Sequence, residues 1–309
     1  MSQALLPNLI RLARPRQWAK GAFVAIGPAY AVATHDRPLS APLVLGAVAA
    51  VLAFGFASSA CYIINDIRDV EADRAHPRKR SRPIASGAVP IAAALRFAAL
   101  LLLLAGASAA LSMFGAAQPA PSHALWLGLC LAIYIANTTL YSLHFKHAVV
   151  LDVISLASGF VLRVMGGCAA TAVFPSPMLL NVTFFLAMFL AFGKRLGERR
   201  TMGEGAAAAR AVQGAYTDEL LRMAVVVTGV ATLITYAGYI ENQGTRYERG
   251  FNLLWLTMLP ATYGLLRCIV LLERGQYDDP TELASRDRPL QAAAVLFAAI
   301  TVTIMLGLR

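Results

Sequence analysis

The stretch Ser58-Ser59-Ala60-Cys61-Tyr62-Ile63-Ile64-Asn65-Asp66-Ile67-Arg68-Asp69-Val70-Glu71-Ala72-Asp73-Arg74 changes character at a single point. Up to Ile64 it closes an apolar run that begins at Pro42 and contains no charged side chain. Such a run of more than twenty residues is long enough, as a helix, to cross a hydrocarbon layer about 30 Å thick. From Asn65 onward the chain becomes strongly charged. Asp66, Asp69 and Asp73 follow at i, i+3 and i+7, a spacing that on a continuing helix predicts three carboxylates on one face. The stretch therefore reads as a membrane helix with an acidic ladder at its mouth.

Eight further apolar runs extend this reading to the whole chain. Together the nine cover roughly Gly21–Thr34, Pro42–Ile64, Ile91–Met113, Ala124–Ser142, Val150–Thr171, Met178–Phe192, Leu220–Ile240, Phe251–Leu272 and Leu290–Leu308. The first and sixth are short for a spanning helix. Strand-like alternation is absent, which argues against a membrane β-barrel. Of the 309 residues, 58% are hydrophobic and only 14% are charged, and the mean hydropathy is +0.61. Soluble domains carry about 25% charged residues, so a soluble enzyme, a disordered chain and a disulfide scaffold are all excluded. The expected fold class is all-α: a polytopic membrane helical bundle of about nine transmembrane helices. Residues 1–309 are expected to form a single membrane-embedded domain.

The net charge is +10 and the isoelectric point about 9.8. In a membrane protein such charge first reports topology, because cytoplasmic loops collect Lys and Arg. The N-terminus and the loops after the second, fourth, sixth and eighth runs hold 19 of the 27 basic residues, and the opposite loops hold four. The N-terminus is thus expected in the cytoplasm and the C-terminus outside, in a multi-pass protein of the inner (cytoplasmic) membrane whose active site faces the cytoplasm. Nucleic acid is not an expected partner. Met1–Lys20 lacks a signal-peptide pattern and is expected to lie along the interface, with Trp18 as an aromatic anchor. Cys61, Cys130, Cys168 and Cys268 lie in or beside apolar runs without CxxC spacing, as ordinary core residues do.

Three like charges on one face repel unless a cation stands among them. Oxygen-only ligands favour Mg²⁺ over Zn²⁺, and Mg²⁺ held by few carboxylates completes its shell with water and substrate phosphates. Directly downstream come Arg74, Arg78, Lys79, Arg80 and Arg82. Carboxylates followed at once by cations suit a metal plus a polyphosphate. A plain basic loop lying on anionic lipid explains the cations but not the aspartates. Arg163 lies inside the fifth run, where an ionisable residue is a functional hypothesis by default. Snorkelling to the surface or pairing with Asp152 is the bland alternative.

The pattern N-D-x-x-D-x-x-x-D at the end of the second run, followed by Arg80-Ser81-Arg82-Pro83-Ile84-Ala85-Ser86-Gly87, resembles the UbiA superfamily of intramembrane prenyltransferases. Arg14-Pro15-Arg16-Gln17-Trp18-Ala19-Lys20 is similar to that superfamily's N-terminal element. The resemblance implies nine helices around a cavity open to the cytoplasm, with Asp66, Asp69 and Asp73 as catalytic, Mg²⁺-holding residues. Most members carry a second aspartate motif after the sixth span. Here that place reads Phe192-Gly193-Lys194-Arg195-Leu196-Gly197-Glu198-Arg199-Arg200, and no Asp occurs between Asp152 and Asp218.

One branch of the superfamily looks like this: the decaprenyl-phosphate phosphoribosyltransferases. Tyr141 through Asp152, Ser158-Gly159-Phe160-x-x-Arg163, Gly193-Lys194-Arg195 with Glu198, and Tyr216-Thr217 are similar to that branch. The resemblance implies transfer of 5-phosphoribosyl from phosphoribosyl pyrophosphate (PRPP) to a polyprenyl phosphate, with Mg²⁺ and release of pyrophosphate. The product would lead toward an arabinofuranose donor for cell-surface glycans. Lys20, Asn65, Arg74, Arg78, Lys79, Arg80, Arg82, Tyr141, Lys146, Asp152, Arg163, Lys194, Arg195 and Glu198 are the expected substrate-binding residues. Asp152 has three open roles: metal, a ribose hydroxyl, or Lys146. A prenyltransferase using a prenyl diphosphate is the first alternative and a polyprenyl-phosphate transporter the second. A homo-oligomer is left open.

Overall fold

The structure is a computed structural model describing residues 5–33, 37–75, 79–116, 120–202, 215–242, 251–274 and 286–307. Among these the regular elements are helical. Helix α1 is Leu5–Ala13, and a 3₁₀ segment, Pro15–Gly21, leads into α2 (Ala22–Ala33). Then come α3 (Ala41–Arg68), α4 (Val70–Ala75), α5 (Ile91–Leu111), α6 (Pro121–Leu143) and α7 (Leu151–Ala170). The chain ends with α8 (Pro177–Met202), α9 (Asp218–Asn242), α10 (Met258–Glu273) and α11 (Arg288–Gly307).

Each of the nine apolar runs coincides with a helix. By length and composition, seven helical segments among the described residues can cross a membrane: α3, α5 with its 3₁₀ extension, α6, α7, α8, α9, and α10 with the 3₁₀ turn before it. The first run yields only the 12 residues of α2. Polar caps set several boundaries. Ser40 accepts the Leu43 N–H at the start of α3, Thr217 accepts that of Leu220 in α9, and Asp287 accepts that of Leu290 in α11 while also binding Arg267 at 2.8 Å. Caps of this kind satisfy donors that the first helical turn leaves unpaired.

The described residues group into two compact units. The first is Met1–Ser142 with Leu162–Pro175, and the second is Leu143–Val161 with Ser176–Arg309; α7 contributes to both. In the first unit α3 is central, with α1, α2 and α5 packed on it. Its core joins Val24, Phe54, Leu127, Leu131 and Tyr134, and a second cluster joins Leu12, Ile63, Ile84, Val89 and Leu101. Small residues allow close approach here: a Cβ on Gly167 would collide with the Val24 carbonyl, and one on Gly27 with the Cys168 Sγ. In the second unit α8, α9 and α10 pack on one another around Phe189, Phe192, Leu196, Tyr216, Leu221 and Leu271. Outward positions such as Leu103, Leu125, Val227 and Ile234 are apolar and exposed, as a lipid-facing surface requires. The most buried spans are α3 and α7; α3 carries Asp66, the first rung of the acidic ladder, and α7 carries Asp152 and Arg163.

Two sequence expectations are corrected. The helix does not run unbroken through the acidic motif: α3 stops at Arg68, Asp69 takes φ −88° and ψ 9°, and α4 begins at Val70. The interruption is slight, because the Asp69 and Asp73 N–H groups still donate to the carbonyls of Asn65 and Asp69. Trp18 turns inward as well. Its Nε1 donates to Ser59 Oγ at 3.0 Å, and its ring packs edge-on against Phe56 at 5.2 Å and over Gly55. An indole N–H beside an accepting hydroxyl in α3 is satisfied without the headgroup layer.

Candidate active site

In the first unit the acidic ladder is built by three elements. At the end of α3, Asp66 is 3% exposed, and one turn into α4 Asp73 is equally buried. Arg82 Nη1 bridges them, donating to Asp66 Oδ1 at 3.1 Å and Asp73 Oδ2 at 2.7 Å. Arg14 Nη2 grips both oxygens of Asp66, at 2.6 and 2.8 Å. Asp69 accepts from the Asn65 side-chain amide at 3.0 Å. The i, i+7 spacing thus does place Asp66 and Asp73 on a common face.

Local sequence explains how both arginines arrive. Helix α1 ends at Ala13, and Arg14 adopts a left-handed conformation (φ 50°, ψ 59°) that turns the chain into the 3₁₀ segment. Its guanidinium carbon lies 4.9 Å from the Tyr62 ring centre, a cation–π distance. The Arg82–Val89 segment is a tight turn: the Ser86 N–H donates to the Arg82 carbonyl, that of Gly87 to Ile84, and that of Val89 to Pro83. Gly87, at φ 77°, takes a conformation that glycine adopts without a Cβ penalty. Ile84 and Val89 anchor the turn in the core, which presents Arg82 to the carboxylates. Arg74 braces the same loop through Glu71 at 2.8 Å and the Ala85 carbonyl at 3.3 Å.

A second polar cluster of the first unit sits within apolar helices. Arg163 is 4% exposed, and its Nη2 donates to Ser58 Oγ at 2.7 Å and Tyr134 Oη at 2.8 Å. The guanidinium also lies over the rings of Tyr134 and Phe54, at 4.9 and 5.4 Å. It neither snorkels nor pairs with Asp152, as the bland alternative had it. Hydroxyls and ring faces orient this cation without cancelling its charge.

In the second unit Asp152 is fully buried and Arg195 is 1% exposed. Arg195 Nε donates to Asp152 Oδ2 at 3.0 Å, and Tyr216 Oη donates to Asp152 Oδ1 at 2.5 Å. Glu198 stands 3.5 Å from Arg195 Nη1. To the three roles open to Asp152 from sequence the structure adds a fourth: it is the counter-ion of Arg195. The basic run after the sixth span is also largely paired within its unit, Arg199 with Asp218 at 2.7 Å and Arg200 with Glu273 at 3.2 Å. Burial and the Asp152 hydrogen bond push the Tyr216 phenol well above its ordinary pKa, so it stays protonated.

The remaining expected site residues differ in exposure. Lys20, Tyr141, Lys146, Lys79 and Lys194 are half-buried and Arg80 is exposed; Arg78 lies outside the described residues. Among the described residues no group of three His, Cys, Asp or Glu side chains is gathered for a metal as placed. The donor set nonetheless fits a hard cation: three carboxylates and one amide, all oxygen donors, with Asp66 and Asp73 already drawing positive charge from Arg14 and Arg82. Sequence reasoning did not assign Ser58, Tyr134 or Tyr216 to the site, nor Arg14 to Asp66. Hydroxyls inside otherwise apolar runs were the available signal for the first two.

A helical membrane bundle with an aspartate ladder at the end of its second apolar helix defines a class, and the family comparison agrees. The model described as the UbiA prenyltransferase family matches residues 22–284. The chain belongs to this family. It is similar to the decaprenyl-phosphate phosphoribosyltransferase of Mycolicibacterium smegmatis, with 35% identity over 97% of this chain and 92% of the relative. The enzyme of that name from Mycobacterium tuberculosis is 32% identical over 96% of this chain and 93% of its own. Among solved structures, a UbiA homologue from Archaeoglobus fulgidus bound to GPP and Mg²⁺ superposes with a TM-score of 0.64 at 19% identity, covering 96% of this chain and 99% of that one.

Proposed function

We propose that this chain transfers the 5-phosphoribosyl group of PRPP to a polyprenyl phosphate and releases pyrophosphate. The observation that carries the reading is near-full-length similarity to decaprenyl-phosphate phosphoribosyltransferases. The site supports it: one acidic ladder is present, and the place of a second holds Arg195 paired to Asp152. The 309 residues act as one membrane-embedded domain that crosses the inner membrane nine times. The segregation of basic residues supports a cytoplasmic N-terminus and a site open to the cytoplasm.

In this reading an oxygen of the lipid phosphate attacks the anomeric carbon, and the bond from that carbon to pyrophosphate breaks. The nucleophile is already largely ionised at pH 7, since the second pKa of a phosphate monoester is about 6, so no strong general base is needed. Asp66, Asp69 and Asp73, with Asn65 beside them, would hold Mg²⁺, which when bound neutralises charge on the leaving diphosphate. Arg82 and Arg14 are placed to meet phosphate oxygens when they leave the carboxylates. Lys20, Arg74, Lys79 and Arg80, with Arg78 outside the described residues, are the further cations proposed to bind substrate phosphate. Tyr141, Lys146 and Lys194 are phosphate or ribose contacts. Asp152, Arg195 and Glu198, which hold one another in the second unit, complete the proposed substrate-binding set. Catalysis comes from positioning and electrostatics.

The test is direct. Purified protein, labelled PRPP, polyprenyl phosphate and Mg²⁺ should move label into the lipid phase. Label that stays in water, with activity on a prenyl diphosphate instead, would sink the reading in favour of ordinary prenyl transfer. Arg163 gives a separate prediction. An isolated buried charge is costly, so Arg163→Gln should leave thermal stability unchanged or raised. It should lower transfer by about tenfold to a hundredfold, the worth of a charge-assisted phosphate contact. Retained activity in Arg163→Gln would remove Arg163 from the site.

A further inference from the structure

We propose that Tyr216 is a positioning residue for Lys146, acting through the backbone of Val150; the inference rests on the phosphoribosyl-transfer reading. Three non-glycine residues have positive φ in the described chain, and Val150, at φ 69°, is the β-branched one. A β-branched side chain rarely adopts that region and keeps it only where its surroundings enforce it. Here the enforcement is visible. The Val150 N–H donates to Tyr216 Oη at 2.8 Å. The Val150 carbonyl accepts from the N–H groups of Val153 and Ile154, at 3.1 and 2.9 Å, and so starts α7.

Tyr216 is itself locked. It is 1% exposed, its ring meets Phe192 edge-on, and its hydroxyl donates to the fully buried Asp152, which Arg195 holds from the other side. A protonated phenol accepts from Val150 and donates to Asp152 at once, and phenylalanine can do neither. The consequence runs upstream. Lys146 lies in the 3₁₀ turn Phe145–His147, where the His147 N–H donates to the His144 carbonyl and that of Ala148 to Phe145. The Asp152 N–H then donates to the Ala148 carbonyl. Backbone hydrogen bonds thus run with little slack from the Lys146 turn into α7, so a change of conformation at Val150 moves the turn.

The experiment is a double-mutant cycle on the full chain in nanodiscs, with Mg²⁺, PRPP and polyprenyl phosphate. Lys146→Ala first identifies which substrate's KM depends on Lys146. Tyr216→Phe is expected to raise that same KM about tenfold, as loss of one buried hydrogen-bond partner does, with kcat within about twofold of wild type. The double variant should be no worse than Lys146→Ala alone, since residues acting through one another are not additive. Val150→Gly in the Tyr216→Phe background should recover most of the loss, because glycine takes positive φ freely. A merely structural role for Tyr216 gives additive losses and no rescue, and that result would overturn the proposal.

Amide hydrogen exchange in the peptide spanning residues 143–151 supplies a readout independent of activity. It should quicken in Tyr216→Phe, and an unchanged rate would also overturn the proposal. If wild type transfers no phosphoribosyl group, the functional reading falls, while the exchange rates still decide the link from Tyr216 to Val150.

Discussion

Replacing Asp66 with Asn is expected to lower phosphoribosyl transfer by about 10²–10³-fold, the scale set by removing one preorganised electrostatic contact to a developing charge. Asp66 is the most connected member of the ladder, accepting from Arg14 on both oxygens and from Arg82 on one. An amide in its place keeps the shape and loses the charge, so neither a divalent cation nor the two guanidiniums are drawn to it as before. The half-saturating Mg²⁺ concentration should rise with the loss of rate. Both arginines are about 30% exposed, so water can hydrate them in the variant and the fold should persist. Asp66→Asn with wild-type rate and wild-type Mg²⁺ dependence would end the assignment of the ladder to the metal and diphosphate.

The second large effect is on stability. Asp152→Ala removes the counter-ion of a guanidinium that is 1% exposed. Breaking one partner of a buried pair typically costs about 3–5 kcal/mol, because the remaining charge is left uncompensated. The melting temperature in detergent should fall sharply. The pair replacement Asp152→Leu with Arg195→Met should recover much of the loss, since an apolar pair of similar volume is often as stable as the ion pair it replaces. If Asp152→Ala melts with wild type, Arg195 is not held as the structure describes.

Most apolar runs gave their helices to within a few residues, because a spanning helix needs an uninterrupted length of apolar side chains and little else; the sixth, read as a short run ending at Phe192, continues as α8 through the charged residues to Met202. The aspartate ladder was legible for the same reason: its spacing is local. What could not be read was contact between distant segments. Arg195 meets Asp152 across 43 residues, Tyr216 meets it across 64, and Arg163 meets Ser58 across 105. No periodicity records such pairs. The inward turn of Trp18 was hidden similarly, since an interfacial anchor and a packed indole have the same sequence. The break at Asp69 leaves the hydrogen-bond ladder almost intact, so spacing alone could not have shown it.

The ladder also has an electrical balance. Two of the three carboxylates, Asp66 and Asp73, are touched by the two guanidiniums of Arg14 and Arg82, so the charges of this pair of acids are already balanced. A divalent cation arriving alone would displace the guanidiniums and leave the ladder positive. A diphosphate arriving alone would leave a deficit of positive charge. Arriving together they nearly cancel, and the arginines that release the carboxylates have phosphate oxygens to turn to. The resting pocket is thus poised to take metal and diphosphate as one package, with each component raising the affinity for the other.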